Sequence, residues 1–240
     1  TLTVTASGTN PTYKWYNNGA EISGATSNTY TTTTTGNYYA VVSNACTSIT
    51  SSLAAVTNNT AAAIVTEPAA VITCAGTSAS FSVNATGTSL TYQWYGPLGI
   101  INGATSSILS LSNVQSAAAG TYSVVVTGAC NNITSSTVTL TVNEAVVLTT
   151  QPTSVAICAP NFATLTVTAT GTSATYQWYG PAGLISGATT NTYTTTTAGN
   201  YYAIISGSCN SVTSSVATVS NNTTTLVNTQ PSDVSICSGA

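Results

Sequence analysis

Charge is almost absent from this 240-residue sequence. It contains 1 Lys or Arg, 4 Asp or Glu, no His and no Met, and charged residues make up 2% of the total. Nucleic-acid binding requires a basic surface that releases counterions, so we expect no nucleic-acid partner. Acid–base catalysis requires titratable side chains at close spacing, and no triad, His metal site or carboxylate pair can be assembled here. We therefore predict a protein that is not an enzyme, with no catalytic, cofactor-binding or metal-binding residues and no cofactor.

Long apolar stretches are also absent. No run of about 18 apolar residues occurs, so we expect no membrane span. The chain instead shows short alternation of Thr or Ser with apolar residues, as in residues 164–169. Such alternation places apolar side chains on one face of a β-strand. With 42% hydrophobic residues, 13 Tyr and 3 Trp, the chain can build a core, and we predict an all-β fold.

A set of motifs recurs three times along the chain. A Tyr-x-Trp-Tyr motif, whose Trp residues lie 79 and 84 residues apart, occurs at Trp15, Trp94 and Trp178. A Gly-x-Tyr motif follows each of them and ends at Tyr38, Tyr122 and Tyr201. A Cys lies 10 residues after each of these Gly residues, and another lies 28 residues later. Self-similarity at a fixed period indicates structural repeats, and several short strands in each are typical of a β-sandwich.

The middle repeat resembles an immunoglobulin domain. Trp94 follows Val83 by eleven residues, and Tyr122 lies in Gly-Thr-Tyr-Ser-Val. The resemblance implies that the Trp and Gly-x-Tyr residues of all three repeats pack in sandwich cores. More narrowly, residues 151–158 together with Tyr-Gln-Trp-Tyr resemble the tandem Ig-like repeats of secreted surface adhesins of Bacteroidota-type bacteria. This resemblance implies an extracellular stalk or a location at the bacterial cell surface.

We predict three tandem immunoglobulin-like β-sandwiches that form a rod. The predicted domains are 1–58, which lacks its own first strand, then 59–143 and 144–222. Residues 223–240 are predicted to form an extra first strand that completes the next domain or the next subunit. Two interpretations stay open. The chain is either a slice of a longer array or a subunit whose last strand completes the first sandwich of another copy, as in donor-strand complementation.

The six cysteines occupy two recurring positions in such a sandwich. The hairpin cysteines, near the end of each repeat, are Cys46, Cys130 and Cys209; the linker cysteines, at the end of each first strand, are Cys74, Cys158 and Cys237. The two positions lie at opposite poles, roughly 25 Å apart at about 3.3 Å per strand residue, whereas a disulfide needs Cα atoms about 4.4–6.8 Å apart. We therefore favour staples between neighbouring repeats.

Three disulfides follow from this interpretation. They join Cys74 to Cys209, Cys158 to Cys46 of the next copy, and Cys237 to Cys130 of that copy. The alternative is pairing within a repeat, Cys74 with Cys130 and Cys158 with Cys209, which requires a displaced first strand. A third interpretation is six reduced, buried thiols.

Three further tyrosines alternate away from the predicted core face, and they are candidate contact or ligand surfaces: Tyr16, Tyr95 and Tyr179. Our leading hypothesis is a non-enzymatic structural protein, the repeating block of an extracellular filament or adhesin stalk, whose partners are further copies of itself head to tail. One alternative is an adhesin module that binds host or environmental glycans or surfaces. Another is an Ig-like spacer of a secreted enzyme.

Overall fold

The computed structural model describes residues 1–223, 225–236 and 238–239. Short β-strands make up its regular structure, and the helical element of the described residues is one 3-10 turn, Ser116–Ala118. The predicted all-β fold is confirmed. Cys237 lies outside the described residues. No described helix is long and apolar enough to cross a membrane.

Strand bounds repeat from one sandwich to the next. The first repeat contains β1 (Leu2–Thr3), β2 (Thr12–Asn17), β3 (Ala20–Glu21), β4 (Thr29–Tyr30), β5 (Gly36–Ser43), β6 (Ser48–Thr50) and β7 (Ala54–Val56). The second contains β8 (Ala63–Thr66), β9 (Val71–Cys74), β10 (Ala79–Ser82), β11 (Asn84–Thr86), β12 (Thr91–Gly96), β13 (Gly99–Ile100), β14 (Ile108–Leu111), β15 (Gly120–Thr127), β16 (Asn132–Thr134) and β17 (Val138–Asn143). The third contains β18 (Val147–Thr150), β19 (Val155–Cys158), β20 (Ala163–Thr166), β21 (Thr168–Thr170), β22 (Thr175–Gly180), β23 (Gly183–Leu184), β24 (Thr192–Thr195), β25 (Gly199–Ser206), β26 (Ser211–Thr213) and β27 (Ala217–Asn222).

Each complete repeat packs a larger sheet against smaller strand pairs. In the third repeat the larger sheet has the order β19-β27-β25-β22-β23, and β20 pairs with β24 opposite it. The segment that enters the repeat supplies two strands. β18 pairs antiparallel with β21, and β19 pairs parallel with β27. The second repeat has the same plan, with β8 on β11 and β9 on β17.

Alternating burial along single strands explains why these residues form sandwiches. In Ala163–Thr166 the alanine and leucine are buried and both threonines are exposed, as period-two geometry requires. The core of the third repeat centres on Trp178, whose side chain is fully buried. Its indole nitrogen donates a hydrogen bond to the carbonyl oxygen of Thr190 at 2.9 Å. Trp94 and Trp15 make the equivalent bond in their repeats.

The tyrosine of each Gly-x-Tyr motif closes a loop onto its own sandwich. The Tyr122 hydroxyl donates to the carbonyl oxygen of Ala118 at 2.8 Å, and Tyr38 and Tyr201 donate to the residue four positions earlier in the same way. Burial disfavours the charged phenolate and raises the pKa of Tyr122 above its usual value of 10.0.

Tyr122→Phe is expected to lower the free energy of unfolding by about 0.5–1.5 kcal/mol, the net value of one hydrogen bond. It should also change the pH dependence. The raised pKa of Tyr122 contributes stability that is complete below about pH 10 and is lost as pH rises through the folded-state pKa. Chemical unfolding between pH 8 and 12 should therefore give a shallower alkaline decline in the variant. Parallel pH curves for the parent and the variant would contradict this.

The described chain divides into two compact units. One comprises residues 1–65, 85–91 and 126–133, and the other comprises residues 66–84, 92–125 and 134–240. The predicted domain boundaries at 58, 143 and 222 stay predictions, as does the rod.

One apolar side chain anchors the segment that enters the third repeat. Val146 is buried, and its backbone amide and carbonyl bind the side-chain amide of Asn210 at 2.6 and 3.1 Å. A Cβ on Gly207 would lie 2.4 Å from the Val146 side chain, and one on Gly171, whose φ is +125°, would lie 2.7 Å from its Cα. Residues 171 and 207, which lie against Val146, must therefore both be glycine.

The strand predicted in residues 223–240 does not form within the described residues. After β27 ends at Asn222, this segment has no strand. A single strand in water has no partner for its backbone N–H and C=O groups, and here no neighbouring strand edge pairs with it. The segment nevertheless includes four exposed aliphatic side chains, those of Leu226, Val227, Val234 and Ile236.

Candidate functional site

The first repeat differs from the other two along one edge. Its described strands include β1 paired with β4, and β7 paired with β5. In the second and third repeats, the strands equivalent to β7 also carry a parallel partner, β9 on β17 and β19 on β27. Among the described residues, no parallel strand pairs with β7.

The core of the first repeat is less completely buried than the other two cores. Its buried hydrophobic residues are Trp15, Tyr38 and Ala40. Four apolar side chains that face its core are only half-buried, namely those of Leu2, Val4, Val42 and Val56. The residues at the same positions of the other repeats are all buried: Phe81, Val83, Val126 and Leu140 in the second, and Leu165, Val167, Ile205 and Val219 in the third.

A groove runs along this edge. It has two parts of about 400 and 310 Å³, and both are lined by Val4, Thr5 and Ser51. The larger part extends to Val42 and Ile49, and the smaller reaches Trp15 and Tyr38. Ile49 is 64% exposed, whereas Val212, its equivalent in the third repeat, packs against the core. The groove is therefore lined by both apolar and polar side chains.

The segment that follows β27, residues 223–240, is called the tail. Its described apolar side chains are largely exposed: Leu226 by 75%, Val227 by 69%, Val234 by 80% and Ile236 by 87%. At the positions equivalent to Val227 and Ile236, the third repeat has Leu148, packed against its core, and Ile157, only 6% exposed. The same sequence pattern is therefore packed against the core in the third repeat and exposed in the tail.

One disulfide joins the second and third repeats. Cys74 and Cys209 are bonded with a Cα–Cα distance of 5.8 Å, which is the predicted staple. The alternative pairing within repeats is wrong for this structure, because it would use these same two sulfurs with other partners. Cys46, Cys130 and Cys158 have free, exposed thiols, so the interpretation of buried reduced cysteines does not apply to them. The pairings between copies stay predictions.

The aromatic residues fall into the two predicted groups. Those assigned to the cores are buried: Trp15, Trp94, Trp178, Tyr38, Tyr122 and Tyr201. Those assigned to surfaces are half-buried: Tyr16, Tyr95 and Tyr179. Two of the surface rings stack on a cross-strand tyrosine, Tyr16 on Tyr39 at 4.9 Å and Tyr179 on Tyr202 at 5.0 Å. Tyr95 lies in the same register, where Ser123 takes the place of the second tyrosine. Ring stacking across the strands therefore accounts for part of this surface.

A pair of hydrogen bonds that recurs in the second and third repeats, which we call the polar clamp, was missed by sequence analysis. The Glu67 Oε2 atom accepts hydrogen bonds from the backbone N–H and the hydroxyl of Ser136 at 3.0 and 3.2 Å. In the third repeat the Gln151 Oε1 atom accepts the same two bonds from Ser215, at 2.8 and 3.2 Å. The available signal was a recurring Glu-Pro or Gln-Pro dipeptide, at 67–68, 151–152 and 230–231.

Two of the few charged side chains pair on the surface of the first repeat. Lys14 and Glu21 make an exposed ion pair at 2.9 Å, and the hydrogen bond that Lys14 donates to the Glu21 carboxylate raises the pKa of Lys14 above its usual value. Among the described residues, no group of three or more His, Cys, Asp or Glu side chains could hold a metal ion.

Solved structures with tandem immunoglobulin domains share this architecture. The I-band fragment I67–I69 of titin matches with a TM-score of 0.69 at 15% identity, over 88% of each chain. Domains 1–5 of Sidekick-1 match with a TM-score of 0.57 at 18% identity, over 89% of this chain and 54% of that one. Extracellular domains 3–5 of Drosophila OTK match with a TM-score of 0.51 at 16% identity, over 88% and 85%. No protein-family model and no curated protein sequence matches the chain. The fold is therefore three tandem immunoglobulin-like β-sandwiches, as the sequence predicted.

Proposed function

We propose that this protein is a non-enzymatic building block of an extracellular filament or adhesin stalk at a bacterial cell surface, assembled head to tail from copies of itself. The observation that carries the proposal is the series of three immunoglobulin-like sandwiches, two of which are joined by the Cys74–Cys209 disulfide. A head-to-tail contact that does not close on itself builds a filament.

The composition suits this role. With charged residues at 2% of the chain, little electrostatic repulsion opposes close contact between copies. The solved structures with tandem immunoglobulin domains supply the architecture, and the Cys74–Cys209 disulfide favours an oxidising, extracellular compartment. Stapled repeats suit a protein that bears mechanical load, because a disulfide restricts the unfolded chain.

Two further disulfides follow for the assembled state. In the Cys74–Cys209 bond, the linker cysteine of one repeat joins the hairpin cysteine of the following repeat. Cys158 and Cys46 of the next copy have this same relation, and so do Cys237 and Cys130 of that copy. Formation of each bond removes two protons and two electrons from two thiols. A small disulfide such as oxidised glutathione accepts them and becomes two thiols.

Assembly of the unaltered chain tests the function. We expect the sedimentation coefficient of the purified chain to rise with concentration, and we expect filaments in electron micrographs, because a head-to-tail contact between copies can repeat without closing. Oxidised glutathione should convert these species into a reducible ladder of multimers on non-reducing gels. A single monomeric species from micromolar to millimolar concentration would overturn the filament proposal.

A second candidate function rests on the stacked tyrosine pairs. Tyr179 and Tyr202 present an aromatic surface of the kind that stacks on sugar rings, so the protein is alternatively an adhesin module that binds glycans. Saturable binding to a glycan panel, lost in Tyr179→Ala and kept in Leu184→Ala, would favour this function over the first.

A further inference from the structure

We propose that Asn102 is a site of spontaneous deamidation, at which an asparagine of the second repeat converts to isoaspartate and aspartate without an enzyme. The inference goes beyond the proposed function, since it concerns a covalent change within one repeat of a single copy. The reaction meets least steric hindrance where glycine follows asparagine, because glycine has no Cβ to shield its backbone nitrogen. The chain has two such dipeptides, Asn18-Gly19 and Asn102-Gly103.

The reaction requires only water. The backbone nitrogen of Gly103 loses its proton to solvent and attacks the Cγ atom of the Asn102 side chain. A bond forms between these two atoms, and the bond from Cγ to Nδ2 breaks. The leaving nitrogen takes up a proton and departs as ammonia, and a five-membered succinimide remains. Water then opens the ring at one carbonyl group to give aspartate, or at the other to give isoaspartate, in which the main chain runs through Cβ and Cγ.

The fold leaves the reacting groups at Asn102 unrestrained. Asn102 and Gly103 are both exposed, and a Cβ placed on Gly103 would meet no atom within 4 Å. Their turn is closed by a neighbour, since the Ala104 N–H donates to the carbonyl oxygen of Ile101 at 3.2 Å. Among the residues that the structure describes, the Gly103 N–H donates no backbone hydrogen bond. Its nitrogen is therefore accessible to the side chain that precedes it.

Asn18 provides an internal comparison, because it lies in the same Asn-Gly-Ala sequence and is also exposed. Its side chain, however, is held by Asn37. The Asn18 Oδ1 atom accepts a hydrogen bond from the Asn37 backbone N–H at 3.0 Å, and the Asn18 N–H donates to the Asn37 carbonyl oxygen at 2.9 Å. The side-chain amide must leave Asn37 before its Cγ atom can reach the Gly19 nitrogen. The fold therefore slows deamidation at Asn18 and permits it at Asn102.

Conversion to isoaspartate changes the backbone beside the core of the second repeat. Residues 101–104 are fastened to Trp94 at both ends. The Ile101 N–H donates to the Trp94 carbonyl oxygen at 3.0 Å, and the Trp94 N–H donates to the Ala104 carbonyl oxygen at 3.1 Å. Isoaspartate adds one main-chain atom between these two bonds, so they can no longer both keep their geometry. Aspartate keeps the length of the backbone and adds only a charge.

The other two repeats show that this turn does not require asparagine. Ser23-Gly24 and Ser186-Gly187 stand at the position of Asn102-Gly103. In both, the residue after the glycine donates its N–H to the carbonyl oxygen three positions earlier at 3.2 Å, as in the second repeat. Asn102→Ser is therefore a variant that keeps the turn and removes the reacting side chain.

The test follows both asparagines in the folded full chain during incubation in mildly alkaline buffer. Mass spectrometry of chymotryptic peptides and an isoaspartate assay measure the products. We expect Asn102 to react about 3- to 10-fold faster than Asn18, the factor that one intact hydrogen bond accounts for. In strong denaturant the two rates should converge, because both sites then have only their shared sequence. Isoelectric focusing should also detect the reaction, since each event adds one negative charge to a formal net charge of −3.

Two results would overturn the proposed site. One is an equal rate at Asn102 and Asn18 in the folded chain, with slow hydrogen exchange at the Asn37 amide to show that the bond to Asn18 is intact. The other is an Asn102 that stays unmodified while Asn18 reacts. Asn102→Ser should remove the isoaspartate of the second repeat and leave the slower reaction at Asn18 unchanged.

Unfolding of the products tests the effect on the core. A chain aged until most of its Asn102 is isoaspartate should unfold at a lower denaturant concentration than fresh chain. Asn102→Asp should unfold with the fresh chain, because its backbone has the ordinary length. Asn102→Ser aged in the same way controls for changes elsewhere. An aged parent that unfolds together with the fresh chain would overturn the link between this turn and Trp94.

Discussion

Trp94→Ala is expected to lower the free energy of unfolding of the second repeat by about 3–5 kcal/mol, the usual cost of truncating a large buried aromatic residue. Trp94 is fully buried, and its indole nitrogen donates to the carbonyl oxygen of Ser106 at 2.9 Å. The change therefore leaves both a cavity and an unpaired carbonyl. Calorimetry of the full chain should show one transition shifted to a lower temperature or lost.

Leu98→Ala provides the matched control. Leu98 lies in the same repeat and is 97% exposed, so truncating it removes almost no buried surface, and the thermogram should match that of the parent. An unchanged thermogram for Trp94→Ala would show that the core does not centre on this residue.

Removal of the Cys74–Cys209 disulfide should have an effect of similar size. The bond joins residues separated by 135 positions, and such a link restricts a large loop of the unfolded chain. The double variant Cys74→Ser, Cys209→Ser should lose about 2–5 kcal/mol of stability. Chemical unfolding without reductant should show a lower midpoint than the parent, and added reductant should bring the parent down to the variant.

Cys130→Ser is the control for the loss of a sulfur atom. Cys130 has a free, exposed thiol, so its replacement should leave the unfolding midpoint where it was. A double variant as stable as the parent in the absence of reductant would contradict the assignment of this disulfide as a staple between repeats.

The core residues could be predicted because the sequence patterns that specify them involve residues close together in the chain. Alternation in residues 163–166 fixes which side chains point inward, and the recurring spacing of Trp and Gly-x-Tyr identifies the residues at the centre of each sandwich. The pairing of Cys74 with Cys209 was predictable for a related reason. The length of a strand separates the two cysteine positions within a repeat, and only a neighbouring repeat can bring them together.

The polar clamp could not be predicted in the same way. Glu67 and Ser136 are separated by 69 positions in sequence, and neither residue type implies the other. The Glu-Pro and Gln-Pro dipeptides recur in every joint, but the partner of the carboxylate or amide oxygen appears only when two distant strands are folded side by side.

The sequence by itself determined the number of repeats, their strand pattern, their aromatic centres and the cysteine that each linker presents, because these depend on spacing along the chain. Only the tertiary structure decided that the described residues after Asn222 form no strand, and how deeply each core residue is buried. A β-strand exists only where another edge satisfies its backbone groups. Val234 and Ile236 therefore stay exposed while Val155 and Ile157, at the same positions of the motif, are covered or partly covered.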